Sequence, residues 1–145
     1  MSKYSDRAVE LFMEGKNCSQ AVFAAFAPDL GLPEETALAV SIGLGGGVGR
    51  MREVCGAVSG SAMLVGLRFP ELDKAAAYEK VRMIIDEFKK TNHSIVCKEL
   101  LGLAKAEKSS VPEARTTEYY QKRPCAQIVA DAAEIVARKI FFIEN

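Results

Sequence analysis

The chain has 145 residues, 49% of them hydrophobic and 26% charged, the size and balance of one folded domain spanning 1–145 rather than of a disordered segment. Its 19 Lys and Arg cancel its 19 Asp and Glu, so neither a nucleic-acid partner nor a polybasic membrane contact has electrostatic support. The longest uncharged stretches, 36–49 and 54–67, are rich in Gly, Ser and Ala and too short for a membrane span, and residues 1–7 lack the apolar core of a signal peptide; a cytoplasmic location is expected.

Apolar residues recur at helical spacing nearly throughout, which predicts an all-α bundle of about six or seven helices. Ser5 or Asp6 is placed to cap a first helix through Ala8, Val9, Phe12 and Met13 that closes at Gly15. Asn17 caps a second, from Cys18, which Pro28 and Gly31 end. Leu32-Pro33-Glu34-Glu35 opens a third, because proline is pre-organised for a first turn and acids favour the positive end of the helix dipole; it runs to about Ile42. Five of the seven residues 43–49 are glycine, which makes a glycine-rich loop. A fourth, almost uncharged helix begins at Cys55 and reaches Leu67, its apolar surface being either core or the contact of a homo-oligomer. Asp73 to Lys90 carries Ala77, Val81, Ile84, Ile85 and Phe88 on one stripe and charges elsewhere, a surface helix packed on the core. Ser94 caps a short helix ended by Gly102. Ala104 to Gln121 is polar, contains Pro112 and lacks sustained periodicity, so it reads as a long loop of the kind that serves as a lid. The last helix runs from about Pro124 to Phe141.

Four cysteines, Cys18, Cys55, Cys97 and Cys125, lie far apart in the chain, and there is no CxxC. A chain of this size in a reducing compartment needs no disulfides to hold its core, which shifts weight to catalytic, redox or metal roles. On the helix map all four fall in or near a first turn. There the unsatisfied backbone N–H groups and the dipole favour thiolate over thiol, and the thiolate is both the nucleophile and the metal ligand.

Of the seven residues after Cys55, six are Gly, Ala or Ser. Each glycine costs a helix about 1 kcal/mol relative to alanine, so something must approach closely: another helix, or a partner thiol, cluster or substrate beside the Cys55 sulfur. The run Cys55-Gly56-Ala57-Val58-Ser59-Gly60 fits CGAxxG. With Cys18 in Asn-Cys-Ser-Gln-Ala-Val, Cys97 downstream, Cys125 before a final Ala-rich helix, and the glycine loop ahead, the chain resembles the C_GCAxxG_C_C family of redox-active proteins. The resemblance covers Cys18 to Cys125 and implies a redox role for the four cysteines.

Other constellations carry less. The loop from Gly43 to Arg52 resembles an anion nest with Arg50 and Arg52 beside it, but it has neither a GxGxxG register nor GK[ST], and its expected role is to pass close to Cys55 and donate N–H groups to a thiolate or ligand. His93, the only histidine, falls in a connection and is expected in solvent. No carboxylate pair stands out for acid–base work.

Two chemistries and one bland alternative follow. The first is a thiol-disulfide oxidoreductase or electron-transfer protein with an unidentified redox partner and no cofactor, in which one low-pKa cysteine attacks and a neighbour resolves; Cys55 is the expected reactive member, and all three pairings stay open. The second gathers Cys18, Cys55, Cys97 and Cys125 on an iron-sulfur cluster or zinc. The third is a helical interaction module with inert thiols. Both chemistries require the sulfurs to converge, with at least two pairs near the roughly 4.4 to 6.8 Å Cα separation of a disulfide.

Overall fold

A computed structural model describes residues 2–103 and 109–142. Among them the chain is all-α, with eight α-helices: α1 Lys3–Met13, α2 Cys18–Phe26, α3 Glu34–Ser41, α4 Gly56–Arg68, α5 Lys74–Asn92, α6 Cys97–Leu100, α7 Thr117–Lys122 and α8 Cys125–Val136, the last continued by a π turn over Ala137–Phe141. The eighth helix is α7, which lies inside the polar segment read as loop; Thr116 caps it by accepting the Tyr119 N–H. Residues 104–108 of that segment lie outside the described residues.

Local chemistry explains where the helices begin. Asn17 and Gln20 form a reciprocal capping box, each side chain accepting the other's backbone N–H at 3.0 Å, and this fixes Cys18 as the first residue of α2. Two caps differ from expectation. Ser2, not Ser5 or Asp6, caps α1, because its hydroxyl accepts the Ser5 N–H; Ser5 is thereby carried into the helix and buried. Ser94 likewise stands three residues ahead of the first residue of α6, where its hydroxyl accepts the Val96 N–H and so shapes the turn, leaving Val96 as the capping residue. His93 closes α5 with a φ of 70° and is exposed, as expected of a connection.

The core is built around α2. Every residue from Ser19 to Phe26 is buried, and α1, α3, α4 and α8 all pack against this helix. Phe12, Phe26, Leu64, Phe88, Val129 and Ile140 are the large side chains sealed inside. The amphipathic α5 buries only Ile84 and Phe88 and covers α4 and α8 from outside.

The small residues of α4 serve the approach of α2. A Cβ on Gly56 would stand 2.9 Å from the Ser19 amide nitrogen, and one on Gly60 would stand 2.9 Å from the Ser19 carbonyl oxygen. Of the two explanations for CGAxxG, helix-on-helix contact is the one seen at both glycines. With Ala57, Val58, Ser61, Leu64 and Val65 also buried, this face of the uncharged helix is core. Gly56 nonetheless lines the cavity described below, so the close contact also sets Cys18 and Cys55 at the same end of two touching helices.

The glycine-rich loop has a conformation that its composition alone does not predict. Five consecutive residues, Gly46 to Arg50, have φ between 57° and 73°, and Arg52 follows at 62°. This is a left-handed turn, closed by Arg50 N–H to Gly45 O, Arg52 N–H to Gly46 O and Glu53 N–H to Gly47 O bonds. Glycine adopts it freely, whereas Val48, Arg50 and Arg52 each carry a cost of about 1 to 2 kcal/mol. Strain of that kind persists only where the surroundings impose it.

Candidate functional site

All four cysteines sit at a helix start, as the sequence leads one to expect. Cys18, Cys97 and Cys125 are the first residues of α2, α6 and α8, and Cys55 is the residue immediately before α4. All four are free thiols and all four line one cavity of about 570 Å³. Phe12, Ile42, Leu100, Leu101 and Ile128 supply its apolar wall.

Two different contacts bring the thiols in. Cys18 and Cys125 face each other closely enough for each thiol to shift the other's pKa, Cys18 acting as donor and Cys125 as acceptor. Cys55 and Cys97 are brought together by a short antiparallel crossing in which Val54 pairs with Val96, Cys55 N–H donates to Ile95 O at 2.7 Å and Cys97 N–H donates to Glu53 O at 2.6 Å. In such a crossing neighbouring residues alternate sides. Cys55 and Cys97 are therefore diagonal neighbours on one face, the separation being about 7 to 8 Å, and the valines face away. One pair is thus in direct contact, and the second faces the same space from a diagonal.

The electrostatics separate the four. Cys125 is pulled down to about 7, mainly by the hydrogen bond from Cys18, with the Tyr119 hydroxyl and the Arg123 and Arg115 guanidiniums acting in the same direction against burial. Cys18 is pushed well above the ordinary thiol range by that same hydrogen bond, so it keeps its proton and donates it. Tyr119 is raised to about 12 by burial and by the neighbouring Cys125, and stays a neutral donor. Cys97 is raised by burial, although Arg52 Nη1 stands 3.7 Å from its sulfur and opposes the shift.

Cys55 reverses the sequence expectation of a low pKa. The Ala57 and Val58 amides at the start of α4 do favour its thiolate, but burial outweighs them and pushes it up to about 12. The glycine loop, whose N–H groups from Val48 to Glu53 are spent on its own carbonyls, gives it no donors. The lowered thiol is Cys125, and side chains of other elements lower it, not the amides of its own helix start.

These shifts make stability depend on pH in a predictable direction. Between about 7 and 9 the folded chain has lost the Cys125 proton that the unfolded chain keeps, so stability rises with pH. Above 9 the folded chain retains the Cys55 proton that the unfolded chain releases, so stability falls. The Cys55 contribution is roughly 4 kcal/mol by pH 12, at about 1.4 kcal/mol per pH unit. Urea unfolding at successive pH values should show a steep alkaline decline, and Cys55→Ala should make it shallower, leaving the part due to Cys18, Cys97 and Tyr119.

Sequence reasoning missed the residues that surround Cys125. Arg115, Tyr119 and Arg123 recur at a spacing of four just ahead of it, Tyr119 within α7 and the two arginines just outside its ends. Arg115 ties that segment down by donating to Phe12 O at 2.8 Å and Lys16 O at 2.9 Å, at the end of α1, with its guanidinium over the Phe12 ring. Glu113 ion-pairs with Arg123 and, at 3.6 Å, with Arg50, which also donates to Ser109 O at 2.7 Å. The segment from Ser110 to Arg123 forms one wall of the cavity, so the part of the expected lid that is described does border the site.

Four cysteines meet the ligand count for zinc or a cluster. Among the described residues, however, no three His, Cys, Asp or Glu side chains stand close enough together to hold an ion. The donor set does not fit a metal, and no step below runs through one.

Fold and site together define an all-α protein with four thiols opening on one cationic cavity. A family model described as "Putative redox-active protein (C_GCAxxG_C_C)" matches residues 16–139, and the chain belongs to that family. No curated protein and no solved structure matches it. Among the described residues, no helix is long and apolar enough to cross a membrane.

Proposed function

We propose that the protein carries out thiol-disulfide exchange, with Cys125 as the attacking thiolate and Cys18 as the resolving thiol. The observation that carries this reading is their mutual hydrogen bond with opposite protonation, one thiol poised as thiolate near neutral pH and its partner holding a proton. Thiolate reactivity follows this pairing: attack requires the deprotonated sulfur, and resolution requires a second sulfur within reach.

In the reaction Cys125 S⁻ attacks one sulfur of a disulfide R–S–S–R, forming the mixed disulfide and releasing R–S⁻. Arg115, Arg123 and the Tyr119 hydroxyl, which had balanced the thiolate, are left facing the departing negative charge. Cys18 has then lost its acceptor. It gives up its proton to the released thiolate and attacks the Cys125 sulfur, and the second R–S⁻ leaves. The protein dithiol is oxidised by two electrons and the disulfide is reduced to two thiols. Cys55 and Cys97 line the same cavity but keep their protons, so they stand outside this exchange. A cytoplasmic setting, which keeps thiols reduced, suits this starting state.

The test is a thiol map. One equivalent of a small disulfide added to the reduced protein should leave two free thiols, and peptide mass spectrometry should find Cys18 joined to Cys125. A protein that keeps four free thiols, or that joins other cysteines first, would overturn the assignment.

A further inference from the structure

The chain as a whole has no net charge, yet the cavity does not share that balance. Arg50, Arg52, Arg115 and Arg123 line it, against Glu113 as the one acidic lining residue described. The Arg50 and Arg123 side chains are only 14% and 15% exposed, and Arg52 is 8% exposed, so these charges belong to the cavity wall and not to the outer surface. Two of the four, Arg50 and Arg52, are held there by the strained left-handed turn, and the other two flank α7. An apolar floor with a few convergent charges, in a volume of about 570 Å³, matches a small-molecule site.

We propose that this cavity selects a small disulfide bearing carboxylate or similar anionic groups, the arginines drawing its charges in while its sulfur–sulfur bond meets Cys125. This deepens the exchange reading and rests on it. Cationic walls of low dielectric concentrate anions and raise their encounter rate, an effect that weakens with ionic strength. In balance, R–S–S–R takes two electrons from the Cys18 and Cys125 pair and leaves as two anionic thiols.

The experiment uses the pre-reduced full chain in single turnover with three probes: glutathione disulfide (anionic), bis(2-hydroxyethyl) disulfide (neutral) and cystamine (cationic). Each rate is divided by the rate of the same probe with a free low-molecular-weight thiol, which removes intrinsic reactivity. The normalised rate should be about 10-fold or more higher for the anionic probe than for the neutral one, and lowest for the cationic one. The ratio should collapse towards one at 1 M salt. Arg50→Gln should lower the anionic-to-neutral ratio several-fold, and Arg50→Lys should restore part of it. Arg50 is suited to this because it is not among the groups that tune Cys125. Should Arg50→Gln fail to fold, the salt dependence of the wild-type ratio decides.

Equal normalised rates for all three probes, with the Cys18–Cys125 disulfide still formed, would overturn the anionic-substrate proposal and leave the exchange reading standing. Failure to form that disulfide with any probe would overturn both.

Discussion

Cys125→Ser should lower the rate of disulfide reduction by roughly 100-fold or more, because a serine hydroxyl is not a nucleophile toward sulfur near neutral pH. Cys18→Ser should behave differently. The attacking thiolate is still present, but it has lost its main hydrogen-bond donor, so the first step should slow and the mixed disulfide on Cys125 should accumulate unresolved. Intact mass after exposure to a small disulfide reads both outcomes, as a missing adduct in the first variant and a persistent one in the second. Equal behaviour of the two variants would mean that the roles of attacker and resolver are not divided between these two sulfurs.

The second large effect is structural. Gly60→Val should destabilise the fold by about 3 kcal/mol, since its Cβ would stand 2.9 Å from a backbone oxygen of the fully buried α2, which cannot yield as a flexible side chain would. For a chain of this length that is a fall of about 10 °C in melting temperature. Gly66→Ala is the counterpart in the same helix: its Cβ meets nothing within 4 Å, so it should gain about 0.5 to 1 kcal/mol from helix propensity alone. Opposite signs from two glycines six residues apart would show that the CGAxxG spacing serves α2 and, through α2, the placement of Cys18. A neutral Gly60→Val would remove that explanation.

Much of the architecture can be read from the residues because the signals are local. The Asn17 and Gln20 box, the Asp73 cap of α5 and the Pro124 start of α8 are determined by neighbours in sequence, and they put Cys18 and Cys125 at helix starts without reference to the rest of the chain. Helix α7 is harder to read, because six residues give too short a stretch for periodicity, and its anchor, Arg115 on the carbonyls of Phe12 and Lys16, is a contact across about a hundred positions.

Which cysteine has the lowered pKa is the least legible feature, for a similar reason. Helix-start geometry treats Cys55 and Cys125 alike; what separates them is burial on one side and, on the other, a thiol from α2, a phenol from α7 and two guanidiniums. Arg123 and Tyr119 are near Cys125 in sequence, but the Cys18 thiol and the burial of Cys55 come from contacts across the chain. The left-handed turn shows the same limit: five glycines announce unusual backbone, but the positive φ of Val48, Arg50 and Arg52 is imposed by bonds the loop makes with itself after it folds.

The proposed division of labour between Cys125 and the other thiols rests on one quantity. Iodoacetamide alkylation of the reduced protein, followed site by site across pH with peptide mass spectrometry, measures it. Cys125 should titrate with a midpoint near 7, far below Cys55 at about 12. At pH 7 half of it is thiolate, against about one part in a hundred for a thiol at the ordinary 9.0. Since a less basic thiolate is a weaker nucleophile, the net rate advantage should be about five- to eight-fold. Tyr119→Phe should move the midpoint upward. A Cys125 midpoint at or above 9, or alkylation of Cys55 ahead of it at neutral pH, would contradict the account.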